Sequence, residues 1–203
     1  GGVLSRAHPR YESRPGQWQM AEAVASALDS GRHLLVEAGT GPGKTLAYPV
    51  PAVLSGLKVV VSTGTKTLQD QIVERDLPFL SQALGQPINA VAMKGRDNYL
   101  CIRRLEEFER EPLLPSIAEV VPFARVREWA EKTPTGDRAE VTELPDDAGF
   151  WRSINARGDA CTGTRCVHFE MCFLTWLRKR AAEARIVVVN HHLLASDLAV
   201  RIA

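Results

Sequence analysis

The stretch EAGTGPGKT, residues 37–45, constrains this chain more than any other. It fits the pattern A-x-x-G-x-G-K-T, with Ala38, Gly39, Thr40, Gly41, Pro42, Gly43, Lys44 and Thr45 in order. Glycines at this spacing let backbone N–H groups converge on one anion, and a following helix turns its positive end to the same point. Lys44 is then placed to reach the β- and γ-phosphates of a nucleoside triphosphate, and the Thr45 hydroxyl to ligate Mg2+. Such a loop needs a strand before it and a helix after it. The apolar run HLLVE (33–37) reads as the strand and KTLAYPVPAVLSG as the helix. Pro49 and Pro51 predict a kink or an early end in that helix.

The flanking text alternates in the same way. Pro15 suits a first helical turn, and Trp18, Ala21, Val24, Ala25 and Leu28 then recur at helical spacing up to Gly31. KVVVS (58–62) reads as a strand, TKTLQDQIVERDLPFL as a helix and INAVAM (88–93) as a strand. Strand and helix in alternation predict a parallel α/β sheet. The pattern breaks near Lys94 and resumes as strand-like text at RIVVVNHHLL (185–194). Between them the chain is charged, almost without strands, and carries all four cysteines. EKTPTGDRAEVTELPDDAG reads there as an exposed loop. The sequence thus divides into 1–93, an insertion over 94–180, and a return over 181–203.

Composition narrows the function classes. Apolar residues make up 45% of the 203, enough for a buried core. The net charge is +1, so any nucleic-acid surface must be local. No apolar run approaches a membrane span, and the first residues lack the apolar segment of a secretory signal. A cytoplasmic location follows as the expectation, where thiols stay reduced and a disulfide frame is disfavoured.

Three cysteines, Cys161, Cys166 and Cys172, lie within CTGTRCVHFEMC, and Cys101 lies far upstream in GRDNYLC. Structural zinc sites usually take ligands as two short pairs, whereas here three cysteines cluster and one comes from 60 positions earlier. Three close thiolates plus one distant one suit a [4Fe–4S] cluster. Spacing alone leaves iron–sulfur, zinc and unrelated thiols open. His168, between the last two cysteines, reads as a further ligand or as a neighbour of the site. Upstream, RPGQ sets Arg14 and Gln17 before and within the first helix. A Gln amide can donate to and accept from an adenine edge at once, although on residue chemistry alone Gln17 reads as an ordinary surface residue.

RPGQ, EAGTGPGKT, VVVSTGTKTLQDQ, KGRDNYLC, the cysteine cluster and RIVVVNHHLL follow one another in order. This succession resembles the XPD-like iron–sulfur DNA helicases of superfamily 2, in their DinG/YoaA branch, from about Tyr11 onward. The resemblance implies an α/β fold: a RecA-like P-loop NTPase motor domain with a partial parallel sheet, interrupted by a mainly helical iron–sulfur insertion. It also implies an ATP-dependent 5′-to-3′ helicase that unwinds DNA in repair or replication. Arg14 and Gln17 would read adenine, and 38–45 would hold ATP and Mg2+, with Lys44 and Thr45 in the catalytic set. Cys101, Cys161, Cys166 and Cys172 would hold a [4Fe–4S] cluster. Thr63, Thr65, Lys66 and Arg96 would contact DNA, single-stranded or forked, and the protein would work at the nucleoid.

Two departures stand out. Pro42 removes one backbone N–H from the loop, which predicts weakened nucleotide binding. The acidic D-E-A-H box expected after VVVNHHLL is absent, as are a second motor domain and its arginine finger. The chain therefore reads as the N-terminal part of a motor, expected to be inactive alone. Two other readings are an iron–sulfur DNA-binding adaptor without helicase activity and a DinG-like single-strand nuclease. Basic residues flank the cysteines: Lys94, Arg96, Arg103 and Arg104 around Cys101, and RKR at 178–180. Trp176, Phe173 and Tyr99 are candidates for base stacking.

Overall fold

The computed structural model describes residues 15–37 and 44–202, with side chains in the second span from Leu46 onward. Arg14, Ala38, Gly39, Thr40, Gly41, Pro42 and Gly43 lie outside the described residues. In chain order come α1 (Pro15–Ser30), α2 (Lys44–Ala47), α3 (Pro49–Leu54), β1 (Val59–Thr63), α4 (Lys66–Gln71), α5 (Leu77–Leu84) and β2 (Ala90–Met93). Next are α6 (Ile102–Arg110), α7 (Val120–Ala130), α8 (Trp151–Ile154) and α9 (Phe173–Glu183). Last come β3 (Ile186–Asn190) and α10 (His191–Ile202). The chain forms two compact units. One contains residues up to Met93 and those from Glu183 on; the other runs Lys94–Ala182.

The first unit is built on a three-stranded parallel sheet in the order β1-β3-β2. β3 is central because it is the most apolar: Ile186, Val187, Val188 and Val189 are all buried. A strand covered on both faces reads as a continuous apolar run, and β-branched side chains pack well on such a pleat. Each of these side chains contributes roughly 1.5–3 kcal/mol on burial. Val188 and Ile186 pack with Ile72, Leu77 and Leu80. The five-residue step from Ile72 to Leu77 is too long to keep both on one face of a plain α-helix. A π-helical turn, Ile72–Asp76, joins α4 to α5 and restores the common face.

Two expectations hold and one fails in this unit. α1 ends before Gly31, which has φ +64°. The expected kink appears as a break at Tyr48, with Pro49 opening α3. HLLVE, expected as a strand, is not one: residues 32–37 form no regular element, and Leu35 is 98% exposed. A strand requires a neighbour to complete its hydrogen-bond ladder. Among the described residues none pairs with 33–37. The apolar run therefore has the composition of a strand without the pairing.

The Lys94–Ala182 unit has its own core. Phe123 meets Phe108 and Phe150 edge-on, with ring centroids 5.2 and 5.3 Å apart. Leu105, Val126, Trp151 and Ile154 complete its centre. Two isolated backbone bridges, Tyr99 with Asp137 and Leu100 with Asn155, hold the segment before α6 in place. The stretch EKTPTGDRAEVTELPDDAG is not the exposed loop its composition predicts. Leu144 and Ala148 are buried in the core and Val141 packs against it. The Glu140 carboxylate accepts from the Trp129 indole (2.9 Å) and the Thr133 hydroxyl (2.6 Å). A few well-spaced apolar residues anchor a segment whose composition is that of a turn. Among the described residues, no helix is long and apolar enough to cross a membrane.

Candidate functional site

Lys44 and Thr45 open α2, so a helix follows the candidate phosphate loop, while the strand expected before it is not formed. Leu46 packs against the core formed by Ile72, Leu77 and Leu80. That contact fixes the C-terminal anchor of the loop to the sheet. Gln17 is half-buried in the first turn of α1, and α1 packs on both α2 and α3. The helix carrying the adenine-reading candidate thus lies against the helix carrying Lys44.

A second cluster lies at the carboxyl ends of β1 and β3, where Thr63 and Asn190 are register partners. Ligands of open α/β sheets bind at such carboxyl ends. Thr63 is buried and its hydroxyl donates to the Thr65 carbonyl at 3.0 Å. The Thr65 hydroxyl oxygen accepts from the Leu68 N–H at 3.2 Å and caps α4. Both threonines therefore shape the turn with their hydroxyls, while Lys66 is exposed beside them. Asn190 accepts from the Leu193 N–H at 2.7 Å and caps α10. Sequence reasoning did not single out His191, whose Nδ1 lies 2.7 Å from the Ser62 hydroxyl. Gln69 was also missed. Its side chain is fully buried, and its amide donates to the carbonyls of Met93 (3.0 Å) and Val188 (3.2 Å). A polar residue three positions from Ile72, on the buried face of the helix, was the available signal.

All four cysteines lie in the Lys94–Ala182 unit and none is in a disulfide. Cys101 precedes α6, and its N–H donates to the Ile154 carbonyl at 2.9 Å. Cys172 precedes α9, and its carbonyl accepts from the Trp176 N–H at 3.0 Å. Both pack against Tyr99, Ala156 and Leu174. Burial pushes the Cys101 thiol up, and Cys172 and Cys166 add to the rise. The opposite holds at Cys161. The Gly163 N–H, 3.4 Å from its sulfur, holds that thiol below the usual range, and the Arg96 guanidinium acts the same way. Among the described residues, no three His, Cys, Asp or Glu side chains are gathered closely enough to hold a metal ion. The donor chemistry nevertheless suits a thiolate-bound group: four free thiols, with Cys101 raised in part by Cys172 and Cys166, and Cys161 biased toward thiolate. His168 Nε2 pairs with Glu106 at 2.9 Å, and its Nδ1 is buried without a hydrogen-bond partner among the described residues.

Several DNA-contact candidates have protein partners. Arg96 lies beside Cys161. Lys94 is buried on Asp137, Arg103 holds Glu107 and the Ala160 carbonyl, and Arg104 holds the Asn155 carbonyl. Tyr99 is buried, with its hydroxyl accepting from the Lys94 N–H at 3.1 Å, so its ring is closed to a base. Phe173 lies over Gly136, whose φ of +67° and missing side chain make room for the ring. Trp176 is 57% exposed, and its indole N–H is tied to the Glu170 carbonyl at 2.7 Å. Arg178, Lys179 and Arg180 are exposed close by on α9.

A parallel α/β sheet, a phosphate-loop helix and polar turns at the strand ends define a class, and residues 14–111 match the DEAD/DEAH box helicase family. The chain is 40% identical over 200 residues to the ATP-dependent DNA helicase YoaA of Escherichia coli, spanning 98% of this chain and 31% of that protein. It is 39% identical over 206 residues to the ATP-dependent helicase DinG of Mycobacterium tuberculosis, spanning 91% of this chain and 31% of that protein. It is 33% identical over 199 residues to the 3′-5′ exonuclease DinG of Bacillus subtilis, spanning 96% of this chain and 21% of that protein. The chain is a homologue of proteins named ATP-dependent DNA helicase YoaA and ATP-dependent helicase DinG. It spans about a third of the length of the first two relatives.

Proposed function

We propose that this chain supplies the ATP-binding and DNA-contacting part of an ATP-dependent 5′-to-3′ DNA helicase acting in the cytoplasm, at the nucleoid. One observation carries the reading. The carboxyl ends of the neighbouring strands β1 and β3 bring the STGT and NHH motifs together, on the unit whose α2 opens at Lys44. The relatives named as DNA helicases support it. In this reading 38–45 cradle the triphosphate, with the Lys44 ammonium on the β- and γ-phosphates and the Thr45 hydroxyl on Mg2+. Arg14 and Gln17 read the adenine. Thr63, Thr65 and Lys66 present the turn after β1 to the phosphates of single-stranded or forked DNA, and Arg96 serves the cysteine unit. A second motor domain completes the hydrolytic site. The test is DNA-stimulated ATP hydrolysis by the intact protein. Lys44→Ala should reduce it to background, and hydrolysis that survives this change overturns the reading.

Within it, 94–180 is a cluster domain between two parts of the motor, 1–93 and 181–203. Cys101, Cys161, Cys166 and Cys172 hold a [4Fe–4S] cluster. The support is the donor set: free thiols on one unit, with Cys161 biased toward the ligating thiolate. When bound, the cluster supplies strong iron–sulfur links between segments far apart in the chain. The Gly163 N–H and Arg96 stabilise the Cys161 thiolate, and Tyr99, Ala156 and Leu174 keep water from Cys101 and Cys172. Protein purified without oxygen should contain iron and sulfide in equal amounts, about four of each per chain. Stoichiometric zinc without iron would refute the assignment.

A further inference from the structure

His191, the first residue after β3, binds neither nucleotide nor DNA in the proposed site, and the structure gives it another task. Residues 62–66 carry β1 into α4. Two hydrogen bonds shape this turn from within, Thr63 to the Thr65 carbonyl and the Leu68 N–H to the Thr65 hydroxyl. Both are local, spanning two and three residues. Among the described residues, the one side-chain hydrogen bond tying the turn to a distant part of the chain is Ser62 Oγ to His191 Nδ1, 2.7 Å across a separation of 129 residues.

His191 is itself well placed to hold. It is the first residue of α10, whose N-terminus is capped by Asn190. Asn190 is in register with Thr63 on the neighbouring strand. The ring also lies over the turn: a Cβ on Gly64 would be 3.9 Å from His191 Cδ2 and Nε2, ordinary van der Waals contact. The imidazole thus holds Ser62 by a hydrogen bond and covers Gly64 with its edge. A hydroxyl can donate to an unprotonated Nδ1 or accept from a protonated one, so the bond exists in either tautomer.

We propose that His191 is a positioning residue that braces the turn at 62–66 through Ser62, holding it in the geometry that receives nucleic-acid phosphates. The inference rests on the DNA reading of this turn. It makes the STGT and NHH motifs one device, although they are far apart in the chain.

The test is binding of a fluorescein-labelled oligothymidine to the intact protein, followed by anisotropy. Ser62→Ala and His191→Ala should each weaken binding about fivefold, the worth of one net hydrogen bond. The double variant should be no weaker than either single one, because both remove the same bond. His191→Asn, whose amide can stand where Nδ1 stood, should restore binding, whereas a purely steric role would not be rescued. The KM for ATP should stay unchanged. Additive losses, a His191→Asn variant as weak as His191→Ala, or unchanged binding in both single variants each overturn the brace. Lys66→Ala separates the two levels. If it weakens binding while the Ser62 and His191 variants do not, the brace alone is wrong. If it too has no effect, the DNA reading of the turn falls and the brace with it.

Discussion

Lys94 and Asp137 form a 2.7 Å ion pair in which the lysine side chain is only 3% exposed. Asp137 also caps the turn after it, accepting from the Ala139 N–H at 3.0 Å. Removing one partner of a buried ion pair typically costs about 3–5 kcal/mol. Asp137→Ala should therefore lower the stability of the cysteine-bearing unit by about that amount in urea denaturation. Replacing the pair as Lys94→Met with Asp137→Leu should cost less than the single change, because no charge is left buried. A double variant weaker than Asp137→Ala would contradict this account.

Gln69 presents a different buried polar problem. Its amide satisfies the carbonyls of Met93, the last residue of β2, and Val188, in the middle of β3. Gln69→Leu leaves both carbonyls short of a donor, for an expected loss of about 2–3 kcal/mol. Gln69→Glu at neutral pH sets a carboxylate against the same two carbonyls and should be worse. Acidification should recover part of the Glu variant's loss and none of the Leu variant's. Chemical denaturation at pH 7 and pH 5 distinguishes the two.

Asp76 gives the pH dependence with a definite sign. Burial pushes its carboxyl above the usual range, with the Gln71 amide and Arg75 acting against the rise. A raised value in the folded state means that folding favours the proton. The stabilising contribution is full below the unfolded value of about 3.9 and disappears as pH rises through the folded value. Neutral pH is therefore the unfavourable side for this group. Asp76→Asn should raise the melting temperature at pH 7, and the advantage should vanish toward pH 3. An advantage that grew on acidification would show the sign to be wrong.

Trp176 is expected to matter for binding and not for folding. Its indole N–H is already satisfied by Glu170, so the exposed ring face is what remains available. Stacking on a base is worth roughly 1–3 kcal/mol by alanine substitution. Trp176→Ala should weaken single-stranded DNA binding by about tenfold, Trp176→Phe should lose less, and both should melt normally. Equal DNA affinity in the wild type and the Ala variant would remove the stacking role.

The elements that were legible in the sequence are those set by local chemistry. Val59, Val60 and Val61, and the run Ile186 to Val189, are apolar and β-branched throughout, which marks both as strands, although only the second is buried along its length. Pro49 marked its own helix break. What was hidden depends on partners distant in the chain. HLLVE has strand composition, yet a strand also needs a pairing neighbour, and composition carries no information about one. EKTPTGDRAEVTELPDDAG has turn composition, yet Leu144 and Ala148 tie it into a core assembled from α6, α7 and α8. The site divides similarly. The cysteines and the glycine-rich stretch 38–45 stand out as candidates by their spacing. The Ser62–His191 contact and the pairing of Lys94 with Asp137 appear only once the chain has folded.

The order β1-β3-β2 has a further consequence for the cysteine-bearing unit. An excursion between antiparallel neighbours leaves and returns at the same end of a sheet, and can be cut out and closed with a short turn. Here the chain leaves at the carboxyl end of β2 and must re-enter at the amino end of β3, its parallel neighbour. Ile186 is in register with Ala90, so the two points are offset by three residue steps along the strands, about 10 Å at roughly 3.3 Å each. Topologically the whole unit is therefore a crossover, carried in series with the backbone of the sheet and not inserted between antiparallel neighbours. Any shortened version must still bridge that gap, so a two-residue splice between Met93 and Ile186 would break the sheet, while a linker long enough to cross it would leave the strand order intact.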